Sequence, residues 1–246
     1  MSGRPVIALR PEPGLSATRA LARSMDLTVI GAPLAQVVPV AWQAPEREAF
    51  DALLLGSANA LRMAGPAIDR WRGSPALVVG ETTGRAAREA GLAVVATGSG
   101  GLQAVLDQAA QHGRYRRLLR LAGESHIALE PPAGVVIETR VVYRLVYGPL
   151  VPELVAALAD GQGGAVILLH SADAARHLAA ECERLGLDRA RLTLAALAPR
   201  IAAAAGQGWG RVAVAAHPCD RAVLELAREL CHGHGGALTS SGSQDG

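Results

Sequence analysis

The chain contains no lysine, since all 24 basic residues in its 246-residue sequence are arginines. Schiff-base enzymes, pyridoxal phosphate enzymes and Walker-type nucleotide sites all require a lysine amine, so these classes are excluded. Arginine, in contrast, suits a planar, bidentate grip on carboxylate or phosphate groups. The composition therefore allows recognition of anions while excluding several common kinds of catalysis.

Aromatic residues are also scarce, because the sequence has only one Phe, three Tyr and three Trp. Proteins that bind single-stranded nucleic acid stack its bases on aromatic side chains, so this function is disfavoured. A net charge of +2 is too small to indicate binding to nucleic acid or to a membrane surface. We therefore expect neither partner, and we expect cores built from Ala, Val and Leu.

The three cysteines, Cys182, Cys219 and Cys231, are odd in number and show no CxxC spacing. This pattern favours a reduced, cytoplasmic protein over one linked by disulfides. The first residues lead directly into a strand-like run, and charged residues interrupt the apolar runs. We therefore expect no signal peptide and no transmembrane helix. The histidines lack partners at metal-site spacing, so we expect no metal.

The sequence does contain a long-period repeat. The run LLLGSANALR at residues 53–62 is matched by ILLHSADAAR at residues 167–176, so that Ser57 corresponds to Ser171. Two further pairs of segments occur in the same order, and they are residues 6–12 with 118–124 and residues 78–83 with 196–201. Solenoid repeats have periods of roughly 20 to 50 residues, so this longer spacing indicates two similar domains instead.

Short apolar runs alternate with helical patterns, as is typical of a parallel α/β fold. We predict two similar flavodoxin-like domains, each a parallel sheet with flanking helices. Domain 1 is discontinuous and combines residues 1–33 with residues 150–236, whereas domain 2 is residues 46–134. The two crossings, residues 34–45 and 135–149, are predicted to pair as a two-stranded ladder that acts as a hinge.

Two local predictions complete this organisation. Residues 16–25 are predicted to form a helix that is capped at its N-terminus by Ser16. Residues 237–246, which are rich in Gly and Ser, are predicted to be a disordered tail.

Candidate binding residues stand where strands are predicted to end and helices to begin, the edge at which open α/β sheets bind ligands. Ser57 and Ser171 can cap their helices, bind an anion, or do both. Arg10 ends the first strand, where it can hold a carboxylate or form an ion pair with Glu12. The binding candidates at these edges are Arg10, Ser57, Asn59, Gly80, Thr83 and Ser171.

Tyr143 is the candidate catalytic residue. It lies within the second crossing, on the extended segment between Arg140 and Arg144. Strand alternation predicts that both arginines point to the face opposite Tyr143. Its phenol can donate a proton, and packing within the ladder is the alternative role.

The order and spacing of six segments resemble uroporphyrinogen-III synthase, an enzyme family of tetrapyrrole biosynthesis. The resemblance extends to about residue 232. The segments are LRPE at 9–12, DALLLGSANA at 51–60, VGETTGRAA at 79–87, LRLAGE at 119–124, VYR at 142–144 and LLHSA at 168–172.

This resemblance implies two α/β domains joined by a two-stranded ladder, with the active site in the cleft between them. It implies a hydro-lyase that converts hydroxymethylbilane, a linear tetrapyrrole octacarboxylate, into uroporphyrinogen III with loss of water and inversion of ring D. Neither a cofactor nor a metal is implied. Ser57, Thr83 and Tyr143 match family positions associated with the site. The expected form is a monomer in transient contact with the preceding pathway enzyme.

One segment departs from the family pattern. The family usually has Gly-Pro-Thr-Thr where this chain has Ala198, Pro199, Arg200 and Ile201. A hydroxyl group is therefore absent from this position. Arg200 becomes a further substrate-binding candidate, because its guanidinium can hold a propionate or acetate group.

Two other functions fit parts of the pattern. A hinge-type, two-domain protein that binds small anionic ligands also has two α/β domains with several crossings. A two-domain transferase with a nucleotide donor is a third option. The glycine-rich run at residues 98–101 lacks the GxGxxG spacing that a dinucleotide loop needs, which counts against the transferase.

Overall fold

The computed structural model describes most of the chain. The tail predicted to be disordered, residues 237–246, lies outside the described residues. The described residues are 4–98, 100–111, 113–159 and 164–232.

These residues divide into two compact units. Unit 1 comprises the described residues up to Gln36 together with those from Tyr147 onward, and unit 2 is Val37–Val146. The strands, in chain order, are β1 (Val6–Ala8), β2 (Val29–Ile30), β3 (Ala35–Pro39), β4 (Ala52–Leu55), β5 (Pro75–Val79), β6 (Ala93–Gly98), β7 (Arg117–Gly123), β8 (Val136–Tyr147), β9 (Val166–Leu169), β10 (Thr193–Ala196) and β11 (Arg211–Val214).

No helix in the described ranges is both long and apolar enough to cross a membrane.

Helices follow most of the strands. The α-helices are α1 (Gly14–Arg23), α2 (Ala58–Met63), α3 (Gly80–Glu89), α4 (Leu102–Gln111), α5 (Pro152–Ala159), α6 (Ala172–Leu185), α7 (Pro199–Ala204) and α8 (Asp220–His232).

The sheet of unit 1 has the strand order β11-β10-β9-β1-β2, and each pair of neighbours is parallel. Its central strands are buried on both faces, which explains their unbroken apolar sequences. Ile7 and Ile167 pack in a cluster with α5, α6 and α7. Val6 and Val166 face the other way and pack with α1 and α8.

The sheet of unit 2 has the order β3-β8-β7-β4-β5-β6, and the strands from β8 to β6 pair in parallel. Leu53 and Leu55 pack with α2, α3 and the fully buried Trp71 on one face. Leu54 packs with Val105 and other residues of α4 on the opposite face. The predicted parallel α/β architecture is therefore confirmed in both sheets.

The repeated segments of the sequence occupy corresponding strands in the two sheets. The run β10-β9-β1 in unit 1 corresponds to β5-β4-β7 in unit 2, and the repeated segments are those of the corresponding strands. The first repeat contributes β1 to unit 1 but β4 and β5 to unit 2. The second repeat does the reverse. Each unit is thus assembled from parts of both repeats.

The chain crosses between the units in two segments that pair with each other. β3 is the edge strand of the unit 2 sheet and lies beside β8, which pairs with β7 on its other side. The backbone N–H of Val40 donates to the Val142 oxygen at 2.9 Å, and that of Gly148 donates to the Leu34 oxygen at 3.1 Å. Residue numbers rise along one segment as they fall along the other, so the two crossings run antiparallel.

The prediction that Ser16 caps the first helix is wrong. α1 begins at Gly14, and Ser16 lies inside its first turn. The backbone N–H and the hydroxyl of Ser16 both donate to the carboxylate of Glu12, at 3.0 and 2.9 Å. An acidic side chain just before a helix satisfies the free N–H groups of its first turn, so Glu12 takes the role that was assigned to Ser16.

A buried carboxylate fixes the end of the second crossing. Glu181 of α6 accepts the backbone N–H of Leu150 at 2.8 Å and two hydrogen bonds from Arg184, at 2.7 and 2.8 Å. Hydrogen bonding to Arg184 holds the pKa of Glu181 at about 2, even though burial acts in the opposite direction. The charged form of Glu181 is therefore the one that the folded protein stabilises.

We predict that Glu181→Gln lowers the free energy of unfolding by about 1–3 kcal/mol at pH 7, because an amide cannot accept all three hydrogen bonds. The folded-state pKa of Glu181, about 2, lies below its ordinary value of 4.5. The contribution of ionised Glu181 to the free energy of unfolding is therefore complete above pH 4.5 and disappears as the pH falls toward 2. In urea unfolding, the difference in unfolding free energy between wild type and Glu181→Gln should shrink as the pH is lowered across this range.

The matched control is Glu183→Gln, which removes an exposed carboxylate from the same helix. It should unfold like the wild type at every pH. Equal stabilities of wild type and Glu181→Gln at pH 7 would contradict the role given to Glu181.

Candidate functional site

Three candidate residues lie at the carboxyl edge of the sheet in unit 1. Arg10 follows β1, Ser171 follows β9, and Arg200 is the second residue of α7, which follows β10. These three strands are neighbours in the order β10-β9-β1 and run parallel. The edge at which they end is the one where ligands bind in open α/β sheets.

Arg10 is held by a carboxylate from the far end of the chain. Its Nη1 donates to both carboxylate oxygens of Asp220, at 2.8 and 2.7 Å, and to the hydroxyl of Thr18 at 3.2 Å. The Thr18 hydroxyl in turn donates to Asp220 at 3.1 Å. The alternative ion pair with Glu12 is not formed, because Glu12 is occupied at the start of α1.

Gly14 makes room for this arrangement. A Cβ atom on Gly14 would lie 2.5 Å from Nε of Arg10 and 2.9 Å from its Cζ. Real Cβ atoms do not approach other atoms so closely, and hydrogen bonds to Asp220 and Thr18 hold the guanidinium in place. A glycine at the first position of α1 is therefore what lets the guanidinium lie against the helix.

His170 completes this cluster from the end of β9. Its side chain is only 7% exposed, and its Nε2 lies 3.5 Å from Oδ1 of Asp220. Neither ring nitrogen has a hydrogen-bond partner in the part of the chain that the structure describes. Burial lowers the pKa of His170, and the nearby Asp220 only partly opposes this effect. The imidazole is therefore neutral at physiological pH.

The electrostatics of Asp220 have the opposite balance. Burial by itself would raise its pKa, but interactions with His170, Arg10 and Thr18 outweigh that effect and hold the pKa at about 2. Asp220 is consequently ionised and compensates the charge of Arg10 throughout the physiological range.

Ser171 caps α6, since its Oγ accepts the backbone N–H of Ala174 at 3.2 Å. Tyr147, at the end of β8, interacts with Ser171, and burial raises the pKa of its phenol. The Tyr147 ring packs on that of His177 with a centroid separation of 4.9 Å. Capping leaves other N–H groups of the first turn of α6 free for an anion.

The N-terminus of α7 differs from those of α2 and α6. Its N-cap is Ala198, which has no side-chain acceptor, and Pro199 occupies the first helical position. Arg200 follows it and is exposed. This helix therefore offers a cation where the other two offer a serine hydroxyl.

In unit 2, Ser57 and Gly80 follow the neighbouring strands β4 and β5. Ser57 caps α2 by accepting the backbone N–H of Asn59 at 3.2 Å, and the Asn59 side chain accepts from Arg62 at 3.1 Å. Gly80 opens α3 with a φ of 74°, a left-handed conformation that favours glycine. Apart from its chain neighbours and the backbone of its own helix, no described residue has a heavy atom within 4 Å of the position that a Cβ would take, so conformation rather than space explains this glycine.

The two threonines at the start of α3 differ in exposure. Thr83, the binding candidate from the sequence, is 5% exposed. Thr82 precedes it and is exposed. The hydroxyl that this first turn presents to solvent therefore belongs to Thr82.

Tyr143 lies beside the carboxyl end of β7. A register shift pairs Arg140 with Leu121 but Tyr143 with Gly123, leaving Val142 as an extra residue. Leu121 and Gly123 are two residues apart, so Arg140 and Tyr143 share a face of the sheet. The prediction that both arginines lie opposite Tyr143 is therefore wrong for Arg140.

The ring of Tyr143 rests on a glycine. A Cβ atom on Gly123 would lie 2.6 Å from Cζ of Tyr143 and 2.9 Å from its hydroxyl oxygen. A side chain at position 123 would displace the phenol. Gly123 therefore lets the hydroxyl lie at the end of β7.

No group of three or more His, Cys, Asp or Glu with metal-binding geometry occurs among the described residues. The three cysteines are free thiols.

Comparison with known proteins identifies the family. A family model described as uroporphyrinogen-III synthase HemD matches residues 16–225. The chain belongs to this family. The resemblance drawn from the six sequence segments is thus confirmed, and the family is one of hydro-lyases of tetrapyrrole biosynthesis. A search of curated protein sequences gives no significant match.

A solved synthase structure shares the fold. Uroporphyrinogen-III synthetase from Helicobacter pylori 26695 is 16% identical, with a TM-score of 0.60 over 92% of this chain and 99% of that one. A mutant uroporphyrinogen III synthase from the extremely thermophilic bacterium Thermus thermophilus also matches. It is 17% identical, covers 93% of this chain and 99% of its own, and has a TM-score of 0.49.

Several further polar groups near the carboxyl ends of the strands follow from no sequence motif, and they come from separate parts of the chain. Asp220 and Thr18 carry no motif, and only the tertiary structure brings them to Arg10. His170 was visible as the residue before Ser171 in the repeat. These residues are Thr18, Thr82, Tyr147, His170 and Asp220.

We predict that Asp220→Asn lowers the pKa of His170 further, because it removes the negative charge that partly opposes the effects of burial and of Arg10. The pKa should be measured by NMR titration of the imidazole signals.

The control for this measurement is Asp26→Asn, which changes an exposed carboxylate in the turn after α1. It should leave the His170 titration unchanged. An unaltered pKa in Asp220→Asn would show that the two side chains do not interact.

Proposed function

We propose that this protein converts hydroxymethylbilane into uroporphyrinogen III, with loss of water, inversion of ring D and closure of the macrocycle. The family match over residues 16–225 is the observation that carries this proposal. The alternative of a hinge-type protein that only binds an anionic ligand is not favoured by that match.

The groups at the sheet edges suit a substrate with eight carboxylates. Helix N-termini capped by Ser57 and Ser171 retain free N–H groups, which stabilise anions. Arg10 is held in a fixed position by Asp220, and Arg200 is exposed at the start of α7. We propose that these residues, with Asn59, Gly80 and the first turn of α3, hold the acetate and propionate groups.

The chemical step requires little from the protein beyond one weak acid. Departure of the terminal hydroxyl as water consumes a proton, which we assign to Tyr143, while the electron-rich pyrrole supplies electron density. The substituted α-carbon of ring D attacks the methylene carbon that lost the hydroxyl, which gives a spiro intermediate. The bond from this ring D carbon to the bridge toward ring C then breaks, and the other α-carbon of ring D bonds to the freed bridge carbon, so that the ring is inverted. The proton released as ring D recovers its aromatic form balances the one consumed, so one water is lost overall.

Control of substrate conformation is the larger task. The linear substrate also cyclises without an enzyme, to the isomer in which ring D is not inverted. An enzyme that favours the inverted isomer must hold the chain folded so that the substituted carbon of ring D is within reach. Binding groups distributed over two sheet edges are suited to this role.

We further propose that the protein acts as a monomer in the cytoplasm and meets the preceding pathway enzyme only transiently. Free cysteines are consistent with a reducing compartment. The paired crossings, residues 34–45 and 135–149, are proposed as the hinge between the two domains. The hydrogen bonds of Val40 with Val142 and of Gly148 with Leu34 support their pairing.

Freshly prepared hydroxymethylbilane, incubated with the purified protein, is predicted to give uroporphyrinogen III. The products can be oxidised to porphyrins, and isomers I and III separated by chromatography. Heat-denatured protein is the control and should give isomer I alone. Only isomer I with the active protein would overturn the proposed function.

Tyr143→Phe is predicted to lower kcat by about 100-fold with little change in KM, because it removes a proton donor but keeps the ring on Gly123. Tyr115→Phe removes a phenol elsewhere in unit 2 and should keep wild-type kinetics. Rates of isomer III formation measure both. Wild-type kcat in Tyr143→Phe would remove this residue from the mechanism.

A further inference from the structure

Unit 2 contains a buried arginine that no step above uses. Arg120 lies on the central strand β7 and is 7% exposed. Its Nη1 donates to the backbone oxygen of Ile127 at 2.8 Å, and Tyr143 is close enough to interact with its charge. Ile127 lies beyond the end of β7, and Tyr143 pairs with the last residue of that strand. The guanidinium therefore points toward the carboxyl edge of the sheet.

No described residue provides a counter-ion for this guanidinium. No Asp or Glu forms an ion pair with Arg120 within the described ranges, and its buried Nε has no hydrogen-bond partner there. Burial lowers the pKa of Arg120, which is the sign of a charge taken out of water without compensation. Such a group is costly to keep, and ionisable groups perturbed in this way cluster at functional sites.

The corresponding strand of unit 1 provides an internal comparison. β1 matches β7 in the repeat, and Arg10 at its end is bound by Asp220 and Thr18. Arg120 is also on the strand next to a βα unit with a serine cap, at Ser57. Arg10 and Arg120 thus lie on matching strands of the two units, but Arg10 has an ion-pair partner whereas Arg120 has none among the described residues.

We propose that Arg120 binds a carboxylate of the substrate at the carboxyl edge of unit 2. This assignment rests on the proposed function and adds a specific anion-binding residue to it. A substrate carboxylate supplies the counter-ion that the described residues lack. The planar guanidinium favours a carboxylate over a neutral group.

The test is Arg120→Met, which keeps much of the side-chain volume and removes the charge. Loss of a charge-assisted hydrogen bond to the substrate should raise KM for hydroxymethylbilane by about 10-fold or more. The melting temperature of the free protein should stay the same or rise, because an uncompensated buried charge is removed. A purely structural role through Ile127 predicts the reverse, a lower melting temperature with an unchanged KM.

The matched control is Arg117→Met, which removes an exposed arginine from the same strand. It should leave KM and the melting temperature at wild-type values. Because the net charge changes equally in both variants, a difference in KM or melting temperature between them reports the effect of the charge at position 120.

A binding measurement separates this inference from the proposed function. Uroporphyrinogen III, kept under nitrogen, is predicted to raise the melting temperature of wild type and Arg117→Met, and to raise that of Arg120→Met much less. A wild type that forms no isomer III overturns the proposed function. If the wild type forms isomer III but Arg120→Met keeps the wild-type KM and the full thermal shift, only the role of Arg120 is overturned.

If Arg120→Met does not fold, Arg120→Lys decides the question. It keeps the charge but replaces the planar fork by a single ammonium group, so KM should rise several-fold with kcat nearly unchanged. Wild-type KM in Arg120→Lys would overturn the proposal.

Discussion

Parallel pairing of strands that are buried on both faces is the constraint on which this structure depends. The central strands β1, β4, β7 and β9 are built from residues such as Leu53 and Ile167 that are fully buried. Their faces are covered by helices, so polar chemistry can be accommodated only at their ends. Because all the paired strands of a parallel sheet end on the same side, the residues that follow them are brought together without any special local motif. Arg10, Ser57 and Ser171 all owe their positions to this rule.

Duplication gives each unit the same edge, but the two edges are not chemically alike. Ser57 and Ser171 are equivalent in the repeat, and both cap helices. The arginines differ, since Arg10 is compensated by Asp220 whereas Arg120 has no such partner among the described residues. A linear substrate that is altered at only one end suits a protein whose two edges differ in charge.

Small residues at the edges matter as much as the functional side chains. Gly14 allows the guanidinium of Arg10 to lie against α1, and Gly123 allows the ring of Tyr143 to lie at the end of β7. In both places a Cβ atom would occupy the space of the functional group. The register shift at Val142 contributes as well, because it determines the face on which Tyr143 lies relative to Arg140. The sequence identifies these functional side chains, and the backbone geometry around them sets their orientation.

Much of the fold and the family could be predicted from the amino-acid sequence. Apolar runs with helical patterns between them determine the parallel α/β class, because burial of both faces requires them. The repeat indicated two similar sheets, and the serines at strand ends indicated helix caps. The tertiary structure alone decided that Asp220 pairs with Arg10, that Thr83 is buried, and that no described residue is a counter-ion for Arg120. Hydrophobic periodicity is a local property, whereas ion pairs, exposure and register depend on segments that are far apart in the chain.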